Sequence, residues 1–181
     1  MDIEELRNSI SLEQKKGLPF IITSIVIWTL ITIVCWLDLP VMTRNLLVFC
    51  CAAPLLPISM LVGKIIKVNI FSKENPLGKL GLLFTMNQMI YLLIVMWVYG
   101  AVPEKMVMVY AMVFGAHLLP YSWLYKSKAY IVFSIGVPFV SLILGLKFNG
   151  FVIAAAMIFI ELIFTLLLFR EIKEMNQTTS S

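Results

Sequence analysis

Six stretches of this chain run for 18 residues or more without Asp, Glu, Lys or Arg: 17–37, 45–63, 80–103, 106–125, 129–146 and 148–169, the last interrupted by Glu161 alone. A helix rises about 1.5 Å per residue, so each stretch can cross a hydrocarbon layer of roughly 30 Å. A transmembrane β-barrel would instead show segments of about ten residues alternating apolar with polar positions, and these runs do not alternate. The expected fold is all-α: one polytopic membrane domain of six transmembrane helices, near 19–37, 45–63, 80–103, 106–125, 129–146 and 148–169. With 61% hydrophobic and 13% charged residues among 181, little chain remains for a soluble domain.

Charge placement sets the orientation. Of the 14 basic residues, only Arg44, Lys105 and Lys147 fall in the loops after the first, third and fifth spans. The other eleven, among them Lys15, Lys16, Lys64, Lys67, Lys73, Lys126, Lys128 and Arg170, fall on the opposite side, which the positive-inside rule makes cytoplasmic. Both termini are therefore expected in the cytoplasm, and the net charge of +4 reads as topogenic. Dispersed among loops, these bases form no nucleic-acid footprint. The leader before the first span carries Asp2, Glu4, Glu5 and Glu13 and no small-residue cleavage site follows the run, so it reads as a span and not a signal peptide.

Residues 1–18 contain a capping box, Asp2 with Glu5, and place Ile3, Leu6 and Ile10 on one face, which predicts a surface helix along the inner leaflet. The Lys64 to Lys79 loop mixes lysines with Ile65, Ile66, Val68, Ile70 and Phe71, a pattern suited to the headgroup region. The polar end, 170–181, reads as a cytoplasmic tail finishing in disorder. Cys35, Cys50 and Cys51 have no metal or disulfide spacing and read as packed thiols.

Sliding the chain by 63 residues lays Ala53-Pro54-Leu55-Leu56-Pro57-Ile58-Ser59-Met60-Leu61 on Ala116-His117-Leu118-Leu119-Pro120-Tyr121-Ser122-Trp123-Leu124 with six of nine positions identical. The same offset pairs Lys16 with Lys79 and Pro40 with Pro103, so spans one and two read as a parallel repeat of spans three and four. Pro57, Pro120 and Pro138 cannot donate a backbone hydrogen bond and are expected to bend spans two, four and five.

Glu161 is the one carboxylate well inside a span, and an intramembrane charge costs about 2.5–3.5 kcal/mol on insertion scales. Eight residues from the inner end of its run, it sits about 12 Å deep, at the estimated level of His117, Asn87 and Gln88. Tyr110, Phe114, His117, Tyr121 and Tyr125 share one helical stripe; Ala154, Glu161 and Thr165 share another; Asn87 and Tyr91 a third. These residues are compatible with an inner-half polar cavity in which Glu161 takes a proton or cation, His117 is its partner, and Asn87, Gln88 and Tyr91 orient a small solute. The competing reading makes the same side chains interhelical contacts of a non-transporting module that assembles with itself or with another membrane protein. Nothing points to an enzyme or a cofactor: there is no nucleophile motif beside the single histidine, no phosphate loop, and too few ligands for a metal.

At Asn75-Pro76-Leu77-Gly78-Lys79-Leu80-Gly81, Asn87-Gln88-Met89, Pro103-Glu104-Lys105-Met106 and Gly115-Ala116-His117-Leu118-Leu119-Pro120 the chain resembles a family of uncharacterised multi-pass membrane proteins of Bacillus-like bacteria. The resemblance covers nearly the whole chain and implies a bacterial plasma-membrane location, with no function attached.

Overall fold

A computed structural model describes residues 2–70 and 75–179. Phe71 and Lys73 of the expected headgroup loop lie outside the described residues. α1 (Ile3–Glu13) leads through a turn, Lys15–Gly17, into α2 (Leu18–Trp36). Then follow α3 (Val41–Ala52), α4 (Leu55–Ile65), α5 (Gly78–Ala101), α6 (Met106–Ala116), α7 (Leu119–Leu124), α8 (Lys128–Lys147) and α9 (Gly150–Thr179). All described elements are helical, and six segments are long and apolar enough to cross a membrane: α2, α3 with α4, α5, α6 with α7, α8, and α9.

The prolines act differently from one another. Spans two and four are not merely bent but interrupted, at Ala53–Pro54 and at His117–Leu118. The two breaks fall within one residue of the 63-residue offset, so the duplicated motif has a duplicated backbone. In each case the proline occupies the first turn of the second half-helix, where no N–H is required: Pro57 in α4 and Pro120 in α7. α8 continues through Pro138 as one helix.

Both half-helices also finish alike. After α4 the Val68 amide reaches the Gly63 carbonyl (2.8 Å), and after α7 the Ser127 amide reaches that of Ser122 (3.1 Å). This Schellman closure needs a left-handed residue, usually glycine. Here lysine fills the position, Lys67 at φ +57° and Lys126 at φ +48°. Lys15, Lys16 and Gly17 turn α1 into α2 through three successive left-handed residues. Lysines that count toward orientation are therefore also helix terminators.

α2 and α9 pack along each other, α6 packs along α8, and α8 and α6 close against α9. α3 and α4 lie outside α2, and α5 lies outside α6 and α7, its Leu82, Leu83, Ile90, Leu93 and Trp97 bare. In lipid this packing rests on close approach, because apolar side chains gain nothing by leaving hydrocarbon. Gly115 of α6 illustrates the fit: a Cβ there would come 2.6 Å from Pro138 Cδ and 2.7 Å from Val137 Cβ of α8. Gly145 of α8 is pressed equally hard against Met108.

Two apolar clusters fill the interior. One holds Trp28, Ile31, Val48, Met106, Ala111, Ala154 and Met157; the other holds Ile10, Leu18, Ile21, Leu118, Leu124, Tyr130, Phe164 and Leu168.

The chain ends are tied to the bundle. α1, expected along a surface, docks against α7 and α9 with Ile10 fully buried. α9 stays helical past residue 169 to Thr179, where a disordered finish was expected. Its extension is what α1 and the Lys15–Gly17 turn pack against.

Candidate functional site

Glu161 sits in the seam between the two apolar clusters. Met157, one turn before it, belongs to the first, and Phe164, one turn after, to the second. The helical repeat that buries Ala154, Met157, Phe164 and Leu168 against α2 and α8 puts Glu161 on the same buried face, with no exposed surface. Facing it is Ser24 of α2, itself flanked by Ile21 of one cluster and Ile27 and Trp28 of the other. Ser24 Oγ lies 2.5 Å from Glu161 Oε2 and 2.7 Å from the Ile21 carbonyl oxygen. Glu161 Oε1 has no hydrogen-bond partner among the described residues, and neither has the buried Thr165 Oγ1 one turn further on. Buried polar atoms are seldom left so, and among the described residues Glu13 Oε2 and Asn45 Oδ1, away from this seam, share the condition.

His117 is elsewhere in the seam. It caps α6 at the break, with Nδ1 against the Phe114 carbonyl of its own helix. A carbonyl only accepts, so Nδ1 carries the proton. The carbonyl it takes is Phe114's and not that of Ala116, which Pro120 leaves free. No hydrogen bond or ion pair among the described residues joins His117 to Glu161. The expected aromatic stripe is present: Trp28 packs on Tyr110 and Phe114, Phe114 on His117 (5.4 Å), His117 on Tyr121 (6.1 Å), and Tyr121 stacks on Tyr125 (5.9 Å).

Asn87, Gln88 and Tyr91 lie on α5, which packs on α6 and α7 and not on α2. Asn87 and Gln88 are half-buried and Tyr91 is exposed. α5 meets the aromatic stripe one turn away, where the Thr85 hydroxyl lies 2.8 Å from Tyr121 Oη. The structure thus brings Glu161 to Ser24 and Thr165, His117 to the aromatic stripe, and the α5 residues to the bundle's edge. Two surface depressions flank the end of α9, one lined by Lys128, Val132, Leu167, Arg170 and Glu171, the other by Lys15, Leu18, Phe169 and Lys173. Neither includes any of the expected site residues.

Between the seam and the α1 end of the bundle lies a polar layer that residue patterns did not reveal. The Tyr130 hydroxyl donates to the Lys16 carbonyl (2.9 Å), and that of Tyr125 to Gln14 Oε1 (2.7 Å). Lys16, only 4% exposed, pairs with Glu171 at 2.8 Å, whose other oxygen accepts from the Ala129 amide (2.9 Å). Outside this layer α1 is held down by the Arg7 guanidinium, which donates to the Trp123 carbonyl (2.6 Å) and stacks over its ring. Asn75 donates to the Leu6 carbonyl (2.7 Å). Lys126, paired with Glu4 at 2.8 Å, and Arg7 together hold the Glu4 carboxyl below its ordinary range. Ser24 carried no sequence signal beyond a hydroxyl in an apolar run, and Lys16 looked like a loop charge.

The four basic segments predicted to share one side do meet. The N-terminal turn, the α4–α5 connection, the α7–α8 turn and the end of α9 are tied together by Lys15 to the Ile66 carbonyl (2.7 Å), Asn75 to Leu6, Lys126 to Glu4 and Lys16 to Glu171. Among the described residues no three His, Cys, Asp or Glu side chains converge as metal ligands would.

Six apolar spans, basic segments tied together at one end and a carboxyl group buried between two apolar clusters define a multi-pass membrane protein with an intramembrane acid. The chain belongs to the family of unknown function DUF7010, whose model matches residues 3–171. No curated protein and no solved structure matches it significantly.

Proposed function

We propose that this protein, in a bacterial plasma membrane with both termini cytoplasmic, binds and moves a small ion through a site centred on Glu161, without enzymatic chemistry. One observation carries the reading: Glu161 is fully buried at mid-helix, yet one of its oxygens, together with Thr165 Oγ1, has no partner among the described residues. A carboxyl retained in a span for packing alone would be expected to satisfy both oxygens, whereas one that takes up and releases an ion keeps acceptor capacity in reserve. On this reading α1, Lys16, Tyr125 and Tyr130 cover the cytoplasmic end of the route to Glu161. His117 and the stripe from Tyr110 to Tyr125 form the wall beside that route.

The test is ion flux in vesicles reconstituted with purified protein. Glu161→Gln abolishes flux on this reading while the protein still inserts and folds. A second reading, a non-transporting module that assembles with itself or with another membrane protein, makes the polar side chains interhelical contacts, as Ser24 of α2 is to Glu161 of α9. On that reading no flux exceeds that of empty vesicles, and Glu161→Gln changes only stability or assembly.

A further inference from the structure

We infer that the species held at Glu161 is a proton, and that the carboxyl is neutral in the conformation described. This rests on Glu161 being the ion site, but its physical argument is separate. Ser24 Oγ has two close oxygen neighbours, the Ile21 carbonyl at 2.7 Å and Glu161 Oε2 at 2.5 Å. A serine hydroxyl has one hydrogen to give, and a backbone carbonyl has none. One hydrogen cannot fill both contacts at once; with it on the Ile21 carbonyl, the hydrogen in the 2.5 Å contact is Glu161's, so that Oε2–H donates to Ser24 Oγ and Oε1 is the carbonyl-like oxygen left bare. An ionised carboxylate would leave two acceptors facing Ser24 with one hydrogen between them.

The surroundings agree. No Lys, Arg or His among the described residues forms an ion pair with Glu161. On the elements packed against α9, Tyr130 of α8 lays its ring against Phe164, one turn from Glu161, and gives its hydroxyl hydrogen to the Lys16 carbonyl. Tyr110 and His117 of α6 belong to the aromatic stripe, and Lys16 is committed to Glu171. A hard divalent cation asks for about six oxygens. The polar side chains at hand are Glu161, Ser24 and Thr165, enclosed by Ala154, Met157, Phe164 and Leu168.

The same count describes release. The proton leaves Glu161 Oε2 for water, the carboxylate remains, and the Ser24 hydroxyl turns its single hydrogen from the Ile21 carbonyl to Oε2. Only O–H bonds change, and Ser24 acts as a two-position rotor that reports the state of Glu161.

Infrared spectroscopy of the whole protein in lipid at neutral pH tests this. A carboxylic-acid C=O band is expected near the high-frequency end of its range, because Oε1 is bare. It should be lost in Glu161→Gln, shift upward in Ser24→Ala and stay in place in Ser24→Thr. The serine variants assign the band even if Glu161→Gln misfolds. Replacing sodium by potassium or by an organic cation should leave it unmoved. A Glu161 band of the ionised carboxylate, or one that moves with the cation, overturns the inference. Cation flux without the acid band would spare the transport reading and sink the proton; the acid band without flux would do the reverse.

Discussion

Placing a methyl group on Gly115 tests the account of how α6 and α8 hold together. The added Cβ would stand 2.6 Å from Pro138 Cδ and 2.7 Å from both Val137 Cβ and Cγ1. Carbon pairs settle at about 3.5–4.0 Å, so the helices must part by about 1 Å. Proline Cδ and valine Cβ are tied to the backbone and cannot swing aside, which puts the strain near the upper end of the roughly 1–3 kcal/mol typical of overpacking. Against this stands about 1 kcal/mol of helix propensity that alanine gains over glycine. The net is about 2 kcal/mol of destabilisation, or about 30-fold in the folded ratio. Gly136, beside Val137 on the same helix, and Gly100 on α5 meet nothing within 4 Å, so their alanine variants feel propensity alone and should be unchanged or more stable by up to about 1 kcal/mol. The measurement is reversible unfolding in mixed micelles under a denaturing detergent. If Gly115→Ala proves as stable as Gly100→Ala, the close approach of α6 to α8 is wrong.

Breaking the Lys16–Glu171 pair should be asymmetric: Glu171→Gln leaves an ammonium buried without its counter-charge and costs about 3 kcal/mol, whereas Lys16→Met leaves a half-buried carboxylate that keeps the Ala129 amide and costs less. Comparative unfolding in detergent decides it, and equal losses would argue against a buried pair. Lys67→Gly relieves a left-handed non-glycine residue and should stabilise by about 1 kcal/mol; a loss would mean that the Schellman turn after α4 is misassigned. Glu4 has a lowered folded-state pKa, so its contribution to docking α1 is fully present above the unfolded value of about 4.3 and lost as pH falls below it. Labelling of a cysteine placed at Ser9, taken relative to one at the exposed Lys147 so that the falling thiolate fraction cancels, should rise under those acidic conditions, and a ratio that does not change would sever Glu4 from the docking.

Lipid as solvent is why so much of the architecture could be read in advance. A backbone without water must satisfy itself along its own helix, so a charge-free run of sufficient length leaves little choice of structure. The six spans, the shared end of the basic segments and the doubled break at the Ala-x-Leu-Leu-Pro motif all follow from local rules. Where the rule was local but incomplete, the reading slipped. At Pro57 and Pro120 the expected distortion takes the form of an interrupted helix, because each proline sits where a half-helix begins. That α1 and the end of α9 join the bundle is not legible locally, because their polar partners lie 42 to 155 residues away in sequence.

The candidate site divides in the same way. That Glu161 faces protein follows from its cost in lipid, and that Ala154 and Thr165 share its side follows from helical periodicity. Its partner did not follow. His117 matches Glu161 in depth, but depth is one coordinate, and which helices adjoin supplies the others. By itself the sequence determined six spans, their common basic end and one intramembrane acid, since these depend on hydrophobicity and charge along the chain. Only tertiary structure decided that α2 lies along α9, and so that one serine hydroxyl, set between the Ile21 carbonyl and Glu161, bears on the state of that acid.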